Sequence, residues 1–352
     1  MTADSTGPRP AALPAPRVAD PRDAPAIRWG ILGPGGIARA FAAAVRQGTT
    51  SVVVAVGSRD AQRARAFAQD FGIERAHGSY ADLVRDDRVD AVHVSSPHSE
   101  HHAHAILALQ AGKPVLVEKA FTRNAPEARE VIETARRAGL LVAEAMWSRY
   151  LPHYDVVRRA VTDGLVGEVV HIVADHSQRL HPGGPPRLAA PELAGGALLD
   201  LGVYPVSFAD HLLGRPSGVT ARATLTERGV DATTAIVLSH AGGAQAVLSA
   251  SMLAAGPCTA TVTGTLGRLE LEGRFYAPTT IRWRAPDGTV LDERDGGPAS
   301  HAHGFAYEAA EFARGLVSGR LATESMPHAA TLRVMQTMDE VRRQVGVTYP
   351  GE

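Results

Sequence analysis

The sequence predicts an α/β chain in which an N-terminal Rossmann domain precedes an α+β domain with an open, mostly antiparallel sheet. Three observations carry this. Short apolar runs alternate with helical patterns up to about residue 145. The first run ends in a glycine-rich turn that opens a helix. Beyond 145, stretches with period-two patterning replace the alternation. Strands separated by helices of this length imply βαβ units and a parallel sheet covered on both faces, whereas period-two strands imply one wet face.

Taken in order, strands are expected at 27–32, 52–56, 91–94, 115–117 and 142–144, and helices at 37–46, 61–71, 102–110 and 125–138. Asn124 is placed to cap the last of these helices, with Pro126 inside its first turn. A helix over 154–162 follows, then strands at 169–176, 219–225, 233–238, 245–252 and 259–263. Helices at 306–317 and 329–345 close the chain. The expected domains are therefore 26–145 and 146–352. Residues 1–25, rich in Pro, Ala and charge and without an apolar core, read as a disordered tail rather than a signal peptide.

Composition narrows the function. At 352 residues with 45% hydrophobic content, two domains with ample cores are expected. A formal net charge of −1 argues against a nucleic-acid or membrane surface. The one cysteine, Cys258, rules out an internal disulfide framework and fits a cytoplasmic setting. No apolar run approaches the ~20 residues of a membrane span.

Gly33–Pro34–Gly35–Gly36–Ile37–Ala38 forms a G-x-G-x-x-A fingerprint between strand and helix. Gly33 permits the tight turn, Gly35 lets the backbone approach a pyrophosphate, and Ala38 allows close helix–strand packing. The first amides of the helix then face the phosphates. An NAD site would end the second strand in an acid for the ribose 2′-hydroxyl. Here Ser58 and Arg59 stand there, with Arg63 a turn later, and a guanidinium suits a 2′-phosphate. NADP is favoured. NAD stays open through Asp60, which a small shift of the loop would bring to the acid's place.

Of 36 basic residues only Lys113 and Lys119 are lysines, and both lie in the stretch 111–120. Lys119 ends an apolar strand, where α/β folds place their ligands, and an ammonium has a tunable pKa that a guanidinium lacks. In the segment GGALLDLGVYPV, 195–206, the glycines permit a close approach to the cleft, and a helix starts near Ala197. Asp200 and Tyr204 are four apart and share a helical face. Tyr204 can bond a substrate oxygen, Lys119 nearby would stabilise its phenolate, and Asp200 could orient substrate or Lys119. His98, His101, His102 and His104 lack the converging carboxylate or thiolate of a metal centre, so none is assigned.

These segments resemble the Gfo/Idh/MocA oxidoreductase superfamily, and most of all its dimeric dihydrodiol dehydrogenase branch, which includes NADP-dependent D-xylose dehydrogenases. The resemblance covers GILGPGGIA (30–38), SSPHSEHHAHAILALQAGKPVLVEKA (95–120), EAMWSRYLPH (144–153), the 195–206 segment, GVDATTAIVLSH (229–240) and GVTYP (346–350). It implies a homodimeric oxidoreductase of a sugar or cyclic diol, with Tyr204 as proton donor or acceptor and Lys119 as the Lys of a Glu-Lys-Pro motif. It also implies that Ser96, Pro97, His98, His101 and Glu118 face the cofactor, and that Trp147 and Arg149 face the substrate. The motif reads Glu118–Lys119–Ala120 here, which leaves the geometry after Lys119 open. A non-catalytic NADP-binding sensor with the same fold is the alternative.

Overall fold

In the computed structural model, which describes residues 11–297 and 301–352, the apolar runs of the first half are parallel strands buried on both faces. β1 (Arg28–Leu32), β2 (Val52–Gly57), β3 (Arg75–His77), β4 (Ala91–Val94), β5 (Val115–Glu118) and β6 (Val142–Ala145) form one sheet in the order β3-β2-β1-β4-β5-β6. Between them run α1 (Gly36–Gly48), α2 (Ala61–Phe71), α3 (Tyr80–Arg85), α4 (His101–Gln110) and α5 (Ala125–Ala138). Asn124 caps α5 by accepting from the Glu127 amide, and Asp60 caps α2 in the same way. The strand order reverses between β1 and β4, so the loops after those strands open a crevice suited to a ligand.

After α6 (Pro152–Thr162) the chain builds a second, eight-stranded sheet. Its strands are β7 (Val169–Ser177), β8 (Gly218–Leu225), β9 (Asp231–Ser239), β10 (Gln245–Ser251), β11 (Ala260–Gly264), β12 (Gly267–Leu271), β13 (Ile281–Arg284) and β14 (Val290–Arg294). Neighbours pair antiparallel except β7 with β10, which are parallel. Helix α7 (Val203–Leu213) packs on β7 and β10, and α9 (His328–Val345) packs on β8. Across the opposite face, Thr261, Val173, Val247, Val237 and Thr220 stand in register, and the three valines are exposed.

Two expectations need correction. Residues 11–25 are a strap packed along the fold rather than a disordered tail. Leu13 is buried, its amide donates to Asp292 at 2.8 Å, and the Arg17 amide donates to Asp155 at 2.8 Å. Thr50 Oγ1 then ties Ala24 to the first sheet's side. The strap's prolines satisfy few backbone bonds internally, so neighbouring side chains supply the partners. Residues 1–10 of that tail lie outside the described residues. Second, α8 (His301–Val317), which the sequence reading assigns to the second domain, packs on α1, and Phe312 meets the buried Trp29 ring with centroids 5.0 Å apart. Among the described residues, no helix is long and apolar enough to cross a membrane.

Candidate active site

β1 delivers the chain into Gly33, whose φ of 98° is a left-handed conformation natural to glycine. Its amide donates to Gly57 O at 3.1 Å, and a Cβ there would press on the Ser95–Ser96 backbone at 3.3 Å. At Gly36 a Cβ would meet nothing within 4 Å, so the start of α1 faces open space. Ala38 is fully buried against the sheet. The turn thus has room for a phosphate group beside helical amides.

Facing it is a cavity of about 670 Å³ lined by Gly33, Gly35, Gly36 and Ile37 on one side and by Ser58, Arg59, Asp60 and Arg63 on another. The Asp60 carboxylate caps α2, accepting from the amides of Gln62 at 2.8 Å and Arg63 at 3.3 Å. Further in, Ser96, Pro97, His98, His101, Glu118, Lys119, Arg187 and Asp200 complete the lining.

At the inner end three elements converge. The Lys119–Ala120 peptide is cis, and Lys119 Nζ donates to Asp200 O at 2.7 Å and to Asp200 Oδ1 at 3.2 Å. Arg187 donates to the same Oδ1 at 3.0 Å. Burial alone would raise the Asp200 pKa, but Lys119 and Arg187 outweigh it and hold the carboxylate far below its usual range. Asp200 belongs to a π-helical turn, Leu198–Gly202, that runs directly into α7. Tyr204 follows on α7, and Lys119 Nζ lies 5.2 Å from its ring centroid. The Tyr204 hydroxyl accepts from Trp147 Nε1 at 2.9 Å. Burial raises that phenol well above its ordinary pKa. Lys119 thus bonds Asp200 while its ammonium lies over the Tyr204 ring.

The histidines part company. His101 sits 2.8 Å from both Ala120 O and Ser96 O, bracing the loops that flank Lys119. His98 Nδ1 donates to Ala194 O at 3.1 Å, and its Nε2 lies 4.0 Å from Asp200. Burial, with Arg187 and His101 nearby, lowers the His98 pKa to about 3. His104 contacts Ser96 Oγ and His102 contacts Glu130 at the surface. Glu118 is buried and pairs with His93 at 3.1 Å.

Arg149 is a second correction. Its guanidinium does not line this cavity. It is buried in an ion pair with Asp210 at 3.0 Å and donates to Ser207 Oγ at 2.8 Å, because the short helix Trp147–Tyr150 points its Trp and its Arg in different directions. His176 and Tyr276 are residues the sequence reading missed. Their rings stack at 4.0 Å beside Tyr204, with Tyr276 and Tyr204 centroids 5.0 Å apart. The period-two pattern of β7 ends at His176 and was a usable signal. Tyr276 lies in a loop with none.

Comparison with known proteins places the two halves of the chain in one family. Residues 27–146 match the oxidoreductase family with an NAD-binding Rossmann fold, and residues 154–270 match the GFO/IDH/MocA C-terminal domain. A trans-1,2-dihydrobenzene-1,2-diol dehydrogenase of Xenopus tropicalis is 34% identical, over 92% of this chain and 100% of that protein. A D-xylose 1-dehydrogenase (NADP(+)) of Hypocrea jecorina is 34% identical over 92% of this chain and 93% of its own. Among solved structures, KijD10, a 3-ketoreductase from Actinomadura kijaniata in complex with NADP and TDP-benzene, superposes with a TM-score of 0.79 at 30% identity. The match covers 91% of this chain and 98% of that one.

Proposed function

The chain belongs to the GFO/IDH/MocA oxidoreductase family, and on that premise we propose that it moves a hydride between NADP and a hydroxyl- or carbonyl-bearing carbon of a sugar or cyclic diol. The observation that carries this is one cavity joining the Gly33 turn, Arg59 and Arg63 to the Lys119–Asp200 pair. The dinucleotide, when bound, supplies or accepts the hydride. Amides at the start of α1 face its pyrophosphate, and Arg59 and Arg63 meet the 2′-phosphate. Asp60, engaged as a helix cap, is less available to a ribose hydroxyl, which supports NADP over NAD.

The residues of the chain then divide the work. Tyr204, held neutral by burial, donates its proton to the carbonyl oxygen in the reducing direction and recovers it in the oxidising one. Lys119 keeps positive charge over the Tyr204 ring as the phenol loses its proton, and reaches the cofactor ribose. Asp200 anchors Lys119 and orients the substrate hydroxyl. Trp147 fixes the phenol by its indole N–H. His101 positions the loops on either side of Lys119. The relatives' names, a diol dehydrogenase and a sugar dehydrogenase, support the substrate class, and pairing of two eight-stranded sheets into a homodimer belongs to the same reading. Absorbance at 340 nm with NADP and a panel of aldoses, inositols and trans-dihydrodiols tests it. Turnover on a member of the panel is expected. No absorbance change with any of them, nor with NADPH and carbonyl compounds, would contradict it.

A further inference from the structure

We propose that a second cavity, separate from the first and rich in arginine, is a binding site for a phosphorylated small molecule. It encloses about 650 Å³ between the N-terminal strap, α6, α7, α8 and α9, and shares no lining residue with the dinucleotide cavity. That volume lies within the range of small-molecule sites.

Its charge is unbalanced. Six arginines line it against four carboxylates, an excess of two positive charges that matches a dianion. Asp210 is shared by two guanidiniums, the buried Arg149 at 3.0 Å and the half-buried Arg333 at 2.7 Å, so the trio keeps one positive charge. Asp155 is matched by Arg158 at 3.1 Å, and Glu324 by Arg320 at 2.8 Å. Glu311 accepts from the Ser325 amide at 2.9 Å and has no arginine partner among the described residues. Against its single negative charge stand Arg17 and Arg314. Arg314 donates to the Asp20 carbonyl at 2.6 Å rather than to a carboxylate, and the Arg17 side chain projects into solvent at the rim.

The site is also built rather than incidental. Arg149 is 5% exposed and its Nε, Nη1 and Nη2 already donate to Ser207, His211 and Asp210, so it adds fixed positive charge to the wall and leaves direct contact with the anion to Arg17 and Arg314. The strap that supplies Arg17, Val18 and Ala19 to the wall lies outside the matched family segments, which begin at residue 27. Arg149 bonds Ser207 one turn beyond Tyr204, so the cavity backs directly onto the helix that carries the phenol.

The test is calorimetric titration of the full chain with inorganic diphosphate at fixed ionic strength, with and without saturating NADP. A saturable site that persists with NADP present is expected. Arg17→Ala with Arg314→Ala should weaken it about tenfold or more, since bonds to charged groups are the strong ones. Arg59→Ala should leave it unchanged. Should the double variant unfold, Arg17→Ala alone, at an exposed position, carries the same comparison with a smaller loss. Absence of saturable binding, binding abolished by NADP, or binding indifferent to Arg17 and Arg314 would each overturn the proposal.

Discussion

Lys119 and Asp200 are the residues on which the proposed chemistry turns, and their geometry makes separable predictions. Tyr204→Phe keeps the ring that packs on Tyr276 and removes the hydroxyl that Trp147 bonds, so folding and dinucleotide affinity should survive. A positioned acid contributes about 10²–10⁴ in rate, and kcat should fall by at least that lower factor in a steady-state assay. A variant turning over near the parent rate would move the proton transfer elsewhere, with His176 the nearest candidate. Lys119→Met should lower kcat and weaken cofactor binding together, while Lys119→Arg should not restore activity, because a planar fork cannot reproduce a compact ammonium bonded to the Asp200 backbone carbonyl and Oδ1 at once. Arg59→Ala should raise the Kd for NADP about tenfold or more and leave NAD nearly unchanged. Equal losses for both dinucleotides, measured by fluorescence titration, would remove Arg59 from the 2′-phosphate.

Elements explain which parts of this were legible in the sequence. The helices at 61–71 and 125–138 and the strand at 91–94 were readable to the residue, because Asp60, Asn124 and short buried apolar runs give sharp edges. β3, β12, β13 and β14 escaped, since each is only three to five residues long and carries charged residues, too short for the alternation in β12 and β13 to stand out. Lys119, Asp200 and the Gly33 turn could be singled out by residue type and spacing, and the structure brings them to one cavity. Arg149 was not, since nothing in sequence shows which way a short helix turns its side chains. The glycines of 195–206 were read as making room for the cleft, but a Cβ at Gly196 would collide with the Asp231 carboxylate, which accepts from the Leu198 amide at 2.7 Å and so fixes the start of the π turn. Gly196 also has a φ of 113°. Gly196→Ala should therefore destabilise the fold by roughly 1–3 kcal/mol or more, read from urea unfolding, and lower kcat by shifting Asp200. Parent-like stability would show that this loop is not braced through Asp231.

The whole molecule joins two sheets through α8 and the strap, and its buried histidines couple stability to pH. Burial lowers the pKa of His98 and His176 to about 3 and of His153 to about 4, against an ordinary 6.5. The unfolded chain takes up these protons below 6.5 and the folded chain does not, so stability present above that pH is lost as it falls through about 4 to 3. Each such group contributes a slope of at most about 1.4 kcal/mol per pH unit. Glu144 acts oppositely: burial raises it from 4.5 to about 7, so its contribution is present below 4.5 and lost as pH rises toward 7. It offsets about one histidine between those values, and the urea midpoint should still fall from pH 6.5 to 5. A flat or rising midpoint would contradict this balance. The proposed homodimer draws on the other face of the eight-stranded sheet. On that face Val237 is 38% exposed, whereas Leu248, one residue from Val247 on β10, is 1% exposed and belongs to the core. Val247 stands beside Val237 in the row and Val173 beyond Val247, each 45% exposed, and this apolar row is the contact proposed for the homodimer. Sedimentation at micromolar concentration should give a dimer, and Val247→Lys should shift it to monomer by placing an ammonium in the row. If the parent sediments only as a monomer, or if Val247→Lys leaves the dimer intact, the valine row is not the contact.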